Sequence, residues 1–412
     1  MYDYKKINKM HLEVSSLCNA ECPVCNRRAG GGPKNPVMIE RCISLDDFKA
    51  WFPVDFLTQL RQLTLCGNYG DPMTAPDLIP ILTYFRELNP TASVSMNTNA
   101  SGRDKKFWED LSEVIGKFGR VVFSVDGLED TNHLYRKGTN WKKIMTAMTS
   151  FISTKKSTAV WEFLVFKHNQ HQISEARELA KELGIIEFWA KKAMGFGSTE
   201  SSTGEPTIRT LNIDGTFAYN LYAPDDEWKN EILKKKRHIT KHHQRDHKIN
   251  EPIITLKGIS YMFDYNVDLS KSLTTFDAKE IKKLDECEIK CEALAWNDDL
   301  DQGIFVSSTG LLFPCCFTGS KYYASASFET VQFRKFIESY GEDTINLNKT
   351  NSIKDALDSD LMQHGYVNSW AKSSIQEGKL YTCGTFCGKN TNTEIKSTKK
   401  STGHDMGTYS DV

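Results

Sequence analysis

Hydrophobic and polar positions alternate in short blocks along the first half of the chain, and between those blocks they recur with a helical period. Residues 10–15 are apolar and β-compatible, residues 62–66 (QLTLC) and 92–97 (ASVSMN) alternate, and residues 120–125 (RVVFSV) form a compact apolar run. Residues 159–166 (AVWEFLVF) are the longest such run, and residues 186–191 a sixth candidate strand. Apolar residues at 78, 79, 81, 82, 85 and 88 predict a helix over residues 77–88. Similar patterns predict helices over 104–118, 141–152 and 174–183, the last with Ser174 as N-cap. Strands alternating with helices of this length predict βα units around a parallel sheet. The pattern alone allows either an open barrel or a doubly wound sheet.

Polar and conformationally special residues follow these predicted strands. Cys18 follows the first, residues 67–72 (GNYGDP) the second, Thr98 and Asn99 the third, and Asp126 and Gly127 the fourth. Taken singly, each is an ordinary turn residue. Together they fall on the carboxyl edge of the sheet, where parallel α/β folds bind ligands.

The chain has 412 residues, a prior of two to three domains and enough length to bury a sizeable core. Lys plus Arg number 52 against 53 Asp plus Glu, a net charge of -1, which argues against a globally basic nucleic-acid binder. With 11% aromatic and 25% charged residues the composition is globular. No apolar run reaches the ~18 residues of a membrane span, and the first residues (MYDYKK) lack the apolar core of a signal peptide. A reducing, cytoplasmic setting is the expectation.

The 11 cysteines change the picture. Clustered cysteines in a large chain of this kind point to metal or redox chemistry before disulfides. All but Cys42 and Cys66 fall in three groups: Cys18, Cys22 and Cys25; Cys287, Cys291, Cys315 and Cys316; Cys383 and Cys387. The first group has the spacing C-x3-C-x2-C. A four-iron cubane takes four ligands, so three close thiolates leave one iron open. The competing reading is a closed tetrahedral zinc site with Cys42 as fourth ligand.

The segment LEVSSLCNAECPVC, ending at Cys25, resembles the signature of the radical S-adenosylmethionine (SAM) enzymes. The resemblance implies that Cys18, Cys22 and Cys25 hold a [4Fe–4S] cluster whose fourth iron is chelated by SAM. It further implies cleavage of SAM to a 5′-deoxyadenosyl radical that takes hydrogen from a substrate. Other segments match in order. Residues 67–72 resemble the family's GGEP motif, with Tyr69 in place of a glycine and Asp71 in place of a glutamate; the resemblance assigns Tyr69, Gly70 and Asp71 to the SAM amino group. Thr98 and Asn99, Ser124 and Asp126 lie in segments that resemble further SAM contacts, and Arg136 sits where relatives place an arginine near the SAM carboxylate. The alternative for Arg136 is a solvated charge. Leu164 and Val165 are candidates to pack on the adenine, or else are core. The fold this implies for residues 1–195 is a partial (β/α)6 TIM-like barrel.

Residues 196–285 read as a linker and basic insertion: a polar stretch at 198–206, then a basic segment at 228–248 carrying His238, His242, His243 and His247. The histidines read as solvated, or as part of a surface for an acidic peptide. Residues 303–307 (GIFVS) and 311–315 (LLFPC) predict a β-hairpin around a turn at 308–310. Gly310 and Cys315 match the G-x4-C element of SPASM and twitch domains, and Cys383 and Cys387 resemble their closing C-x3-C. The resemblance assigns Cys291, Cys315, Cys383 and Cys387 to one auxiliary [4Fe–4S] cluster in a domain of residues 286–387, with Cys287 and Cys316 as spares. A four-cysteine zinc site is the competing reading. Residues 388–412 read as a flexible tail. The expected activity is that of a radical SAM enzyme fed by an external one-electron reductant such as flavodoxin or ferredoxin. A peptide or protein substrate is the first choice; a small molecule or RNA is the alternative, and a non-catalytic zinc protein the reading from another class.

Overall fold

The computed structural model describes residues 2–196, 207–230, 278–294, 301–324 and 327–390. The stretch at 198–206, the four histidines of the basic segment and residues 391–412 lie outside the described residues.

Six parallel strands build the first half: β1 (Ile7–Leu12), β2 (Gln62–Leu65), β3 (Ser93–Thr98), β4 (Gly119–Ser124), β5 (Thr158–Val165) and β6 (Glu187–Lys192), paired in chain order. The helices between them are α1 (Leu45–Trp51), α2 (Val54–Gln59), α3 (Leu78–Leu88), α4 (Lys105–Ile115), the short α5 (Asn132–Tyr135), α6 (Trp141–Ser153) and α7 (Ile173–Leu183); α3, α4, α6 and α7 are those the periodicity predicts, and α1, α2 and α5 are additions to it. The partial barrel is therefore present, as an open α/β sheet.

Alternation divides each strand between two environments. Leu12, Leu65, Met96, Phe123 and Phe163 face the helices, where they meet Phe85, Trp108 and Phe151 in one continuous core. The opposite face carries His11, Thr64, Ser95, Ser124, Glu162 and Lys191, with a small apolar group of Val122, Val160 and Trp189. One face of the sheet thus holds the fold together by apolar burial and the other is a polar interior.

Two local expectations change. Ser174 is not the N-cap of α7; that helix starts at Ile173, and Gln172 occupies the cap position. The start is set by tertiary contacts, because the Gln172 side chain accepts from the Leu128 amide and the Thr131 hydroxyl and donates to Asp130. A second hairpin, β7 (Thr207–Leu211) and β8 (Phe217–Tyr222), stands in the stretch read as linker and basic insertion. Its signal was legible: alternating residues flank a turn containing Asp214-Gly215, a strong hairpin signature.

The strand pair predicted at residues 303–315 forms as β10 (Gln302–Val306) and β11 (Leu312–Phe313), after the short β9 (Cys287–Ile289). It does not stand apart from the barrel. β10 lies parallel to β1, His11 opposite Phe305, so the sheet has eight strands in the order β11-β10-β1-β2-β3-β4-β5-β6. The driving force is burial: every residue of β10 is buried, and Phe305 meets the His11 ring edge-on at 4.9 Å. At the far end, Gly388–Asn390 forms β12 and pairs with β9, so the ordered chain runs past the expected start of the tail at residue 388.

Replacing Phe305 by Ala should lower the unfolding free energy by about 3–5 kcal/mol, the usual cost of emptying a buried phenylalanine site. Because β10 shares hydrogen bonds with β1, urea unfolding followed by the buried tryptophans of the barrel should shift as a single transition. A loss confined to a separate transition would show that β10 and β11 fold independently of the sheet.

Candidate metal and cofactor site

The chain leaves β1 at Glu13, and within a few residues it makes the turn that carries Cys18, Cys22 and Cys25. The turn is pinned from several sides. The Glu21 amide donates to the Lys137 carbonyl at 2.8 Å, the Cys25 amide to the Cys22 carbonyl at 3.1 Å, and the Leu211 amide of β7 to the Gly30 carbonyl at 2.8 Å. Lys137 Nζ ties the carbonyls of Gly31 (2.9 Å) and Leu211 (2.7 Å) together. Gly31 has φ 73°, and a side chain there would put its Cβ 2.5 Å from the Glu21 carbonyl oxygen. The hairpin β7–β8 thus closes over the cysteine turn, and Ile208 and Leu221 pack with Ala20, Cys22 and Tyr135.

The three thiols are gathered closely enough to influence one another. Burial raises the Cys18 thiol well above its ordinary range, and Cys22 and Cys25 add to the rise. Burial likewise pushes Cys25 up to about 11, with Cys22 contributing. Cys22 is also raised by burial, but the Arg136 guanidinium acts against it, with Nη1 3.7 Å from the sulfur. Buried thiols give up their protons only to something that repays the desolvation, such as a bound metal centre.

Arg136 is not the solvated charge its alternative reading allows. Its Nε donates to Asp126 Oδ2 at 2.5 Å; Asp126 is fully buried and Arg136 only 17% exposed. The other Asp126 oxygen accepts from the Leu164 amide at 2.6 Å, which locks the end of β4 to β5. Asp126 and Arg136 therefore set a paired charge against Cys22.

The loop after β2 is arranged by two carboxylates. Glu13, which sequence reasoning missed, lies 1% exposed and accepts from the amides of Tyr69 (2.7 Å) and Gly70 (3.2 Å). The amides of Asn68 and Ser308 donate to it as well. Burial pushes this carboxyl up to about 7 although all four amides work in the other direction. Its position at the end of β1, on the polar face, was the available signal. Asp71 turns the opposite way: Oδ1 accepts from Thr98 Oγ1 (2.8 Å) and the Met73 amide (3.1 Å), and Oδ2 from the Asn99 amide (2.7 Å) and Nδ2 (2.8 Å). Asn99 Nδ2 also lies 3.5 Å from Cys18 Sγ. Asp71, Thr98 and Asn99 are thus one knot that ties β2 and β3 to the first cysteine. Gly70 is required sterically, since a Cβ there would sit 1.9 Å from the Ser15 carbonyl oxygen. The Tyr69 side chain runs to the helix Cys316–Tyr322, its hydroxyl donating to the Ser320 carbonyl at 2.6 Å.

Ser124 lies buried on the polar face of β4, opposite Glu162 of β5. The side chain of Val165 is fully buried in the core on the helix side, whereas Leu164 packs with the cysteine-turn cluster. Strand alternation gives these neighbours opposite faces, so Leu164 is the one directed to the site.

A second cysteine group assembles from distant segments. Cys291, Cys315, Cys383 and Cys387 line one cavity, walled also by Pro314, Phe317, Trp370 and Phe386. The Phe317 and Phe386 rings stack at 4.0 Å. The Cys291 thiol is raised by its hydrogen bond with Cys387 and by burial, and Cys387 is lowered in return. The two spare cysteines are turned elsewhere: Cys287 Sγ donates to the Leu284 carbonyl at 3.1 Å, and Cys316 lies near Cys66 rather than lining this cavity.

Among the described residues, no three His, Cys, Asp or Glu side chains converge on a point that would hold one metal ion. Tetrahedral zinc needs four donors within about 2.3 Å of one centre. Cys42, the fourth ligand of the zinc reading, faces Ser15 Oγ at 3.3 Å. Thiols spaced around a void suit a multi-atom cluster, and the second cysteine group has that arrangement.

No family model matches the chain, and no curated protein matches its sequence. Among solved structures, the fold is similar to that of Streptococcus suis SuiB bound to S-adenosylmethionine, with 15% identity, a TM-score of 0.47, and 92% of this chain and 77% of that one covered. It is also similar to native anSMEcpe with bound AdoMet (14%, TM-score 0.46, 88% and 84% covered). A third is BtrN in complex with AdoMet and 2-DOIA (11%, TM-score 0.36, 90% and 92% covered).

The Glu13 carboxyl gives a pH signature. Its folded value of about 7 lies above the unfolded value, so the folded state holds a proton that the unfolded state has released. Its contribution is fully present below about pH 4.5 and is lost as pH rises through 7, by up to ~3 kcal/mol. Glu13→Gln should flatten that part of the stability–pH profile in denaturant titrations. An unchanged slope between pH 4.5 and 7 would mean that Glu13 does not titrate there.

Proposed function

We propose that the chain is a radical SAM enzyme. The observation that carries the reading is the gathering of three thiols from one turn beside the amide-lined loop after β2 and the Asp126–Arg136 pair, all at the carboxyl edge of an open parallel sheet. Cys18, Cys22 and Cys25 would hold a [4Fe–4S] cluster, and Cys291, Cys315, Cys383 and Cys387 an auxiliary one in a twitch-type segment. When bound, the first cluster with SAM supplies one-electron reductive cleavage to a 5′-deoxyadenosyl radical, which takes a hydrogen atom from the substrate.

The chain's own residues divide the remaining work. The backbone of residues 67–70, held by Glu13, offers polar groups to the SAM amino end. Asp71 positions this loop and the Thr98–Asn99 turn, since both of its oxygens are already engaged. Arg136 favours the Cys22 thiolate and keeps guanidinium hydrogens for a carboxylate. Ser124 and Leu164 line the interior toward which the nucleotide would lie. The helix-facing Val165 side chain takes no part in this.

The substrate we infer is a peptide or protein, and the reductant an external flavodoxin or ferredoxin. Support comes from the sheet, which ends at β6 on one side and β11 on the other without joining, so that a large substrate has a lateral way in. Support also comes from the polar interior, where Lys191 pairs with Glu162. Among the described residues, no helix is long and apolar enough to cross a membrane.

Anaerobically prepared protein should carry about eight irons with matching sulfide, and one or two zincs without sulfide would reject the assignment. Cys18→Ala should abolish reductive SAM cleavage and lose about half the iron; retained cleavage would mean the first site lies elsewhere. Candidate peptides should change the rate of SAM cleavage, and an effect only from small molecules or RNA would move the substrate to those classes.

A further inference from the structure

The second cysteine group has a feature that its four thiols do not explain. Tyr366 and Trp370 lie one turn apart, at the two ends of the short helix Tyr366–Trp370. Residues spaced by four share a helix face. The helix follows directly on a π-helical turn, Leu361–Gly365, and such a turn carries one extra residue and shifts the face that the following residues present.

Both side chains end in a buried donor, and among the described residues neither donor has a hydrogen-bond partner: the Tyr366 hydroxyl and the Trp370 indole nitrogen. Tyr366 is 1% exposed and packed in the core, its ring 5.2 Å from Phe336. A buried donor left unmatched costs about 1–3 kcal/mol, so two within one turn demand a reason.

Their surroundings supply one. Trp370 lines the cavity ringed by Cys291, Cys315, Cys383 and Cys387. Its N–H lies near enough to Cys383 to oppose the rise that burial gives that thiol, though short of a formed hydrogen bond. Tyr366 lies within electrostatic reach of Cys383, Cys315 and Cys291. Of the other walls, Pro314 and the stacked Phe317 and Phe386 offer no side-chain donor, the Thr318 hydroxyl donates to the Cys315 carbonyl, and the Thr382 hydroxyl is a third donor without a partner. Four thiolates around an iron–sulfur cluster bring excess negative charge into this apolar setting. An added electron there is disfavoured by the low dielectric, and dipoles aimed at sulfur offset that cost.

We propose that Tyr366 and Trp370 are positioning residues for the second cluster, donating O–H and N–H hydrogen bonds to its sulfur atoms and raising its reduction potential. This rests on the assignment of an iron–sulfur cluster to the four thiols. It goes further by giving the site a direction: the cluster is tuned to take up an electron, as an acceptor for a substrate radical must be.

The test uses the full chain, prepared anaerobically, with iron counted and each cluster followed by electron paramagnetic resonance during a redox titration. Tyr366→Phe removes one oxygen and keeps the ring. It should leave iron content unchanged and move the second cluster's midpoint to a more negative potential. Trp370→Phe should shift it in the same direction, and the double variant further than either, while the first cluster's midpoint stays fixed. A coupling to an exchangeable proton in the reduced second cluster should weaken in each variant. Full iron with an unmoved midpoint in Tyr366→Phe overturns the proposal, and so does loss of iron from that variant, which would make Tyr366 a structural residue. If Trp370→Phe alone loses iron, the Tyr366→Phe midpoint decides. About four irons in the unsubstituted protein would instead remove the second cluster itself, and the proposal with it.

Discussion

A single buried carboxylate connects the parts of this molecule that matter most. Glu13 stands where β1 ends, and it accepts hydrogen bonds from amides on either side: those of residues 68–70 after β2, and that of Ser308 after β10. The strands on which these loops sit, β2 and β10, flank β1 on its two sides, although they lie more than two hundred residues apart in the chain. Neither loop could keep its amides pointing inward without an acceptor there, because unpaired buried amides are costly. Removing this acceptor would free the loop beside Cys18 and the hairpin that precedes Cys315 together.

The same economy recurs around the first cysteine turn. Charges buried there come in pairs or are surrounded by donors, as buried charges must be. Asp126 has Arg136 and the Leu164 amide; Asp71 has Thr98, Asn99 and Met73. Each carboxylate joins two strand ends, so the carboxyl edge of the sheet is held by ionic hydrogen bonds where it has no helices to pack against. The thiols are the exception. Their raised values show an environment that does not favour three free thiolates.

Much of this was readable from the residues, and the misses have physical causes. The six βα units were visible because each strand buries a strong apolar face against a helix of regular period. The start of β1 was placed three residues late because Asn8 and Lys9 look like loop residues; they are buried only because β2 and β10 flank the strand. Whether Leu164 or Val165 faced the site stayed open because both are apolar and lie at the end of β5, so their parity could not be read from hydrophobicity. Glu13 was passed over because nothing in a lone sequence tells an acidic residue in a strand that it will receive four amides. The pairing of β10 with β1 was invisible for the same reason: local patterning specifies a strand but not a partner some three hundred residues away.

That last pairing has a consequence for how the chain is made. The edge of β1 that β10 will cover is made about three hundred residues before its partner. Until β10 emerges the nascent barrel carries an unpaired parallel edge flanked by the side chains of Ile7, Met10 and Leu12, the kind of surface that pairs with the wrong neighbour. Closing such a long loop is also slow. Folding of this protein in the cell therefore has a vulnerable interval whose length is set by the time that separates the synthesis of β1 from that of β10.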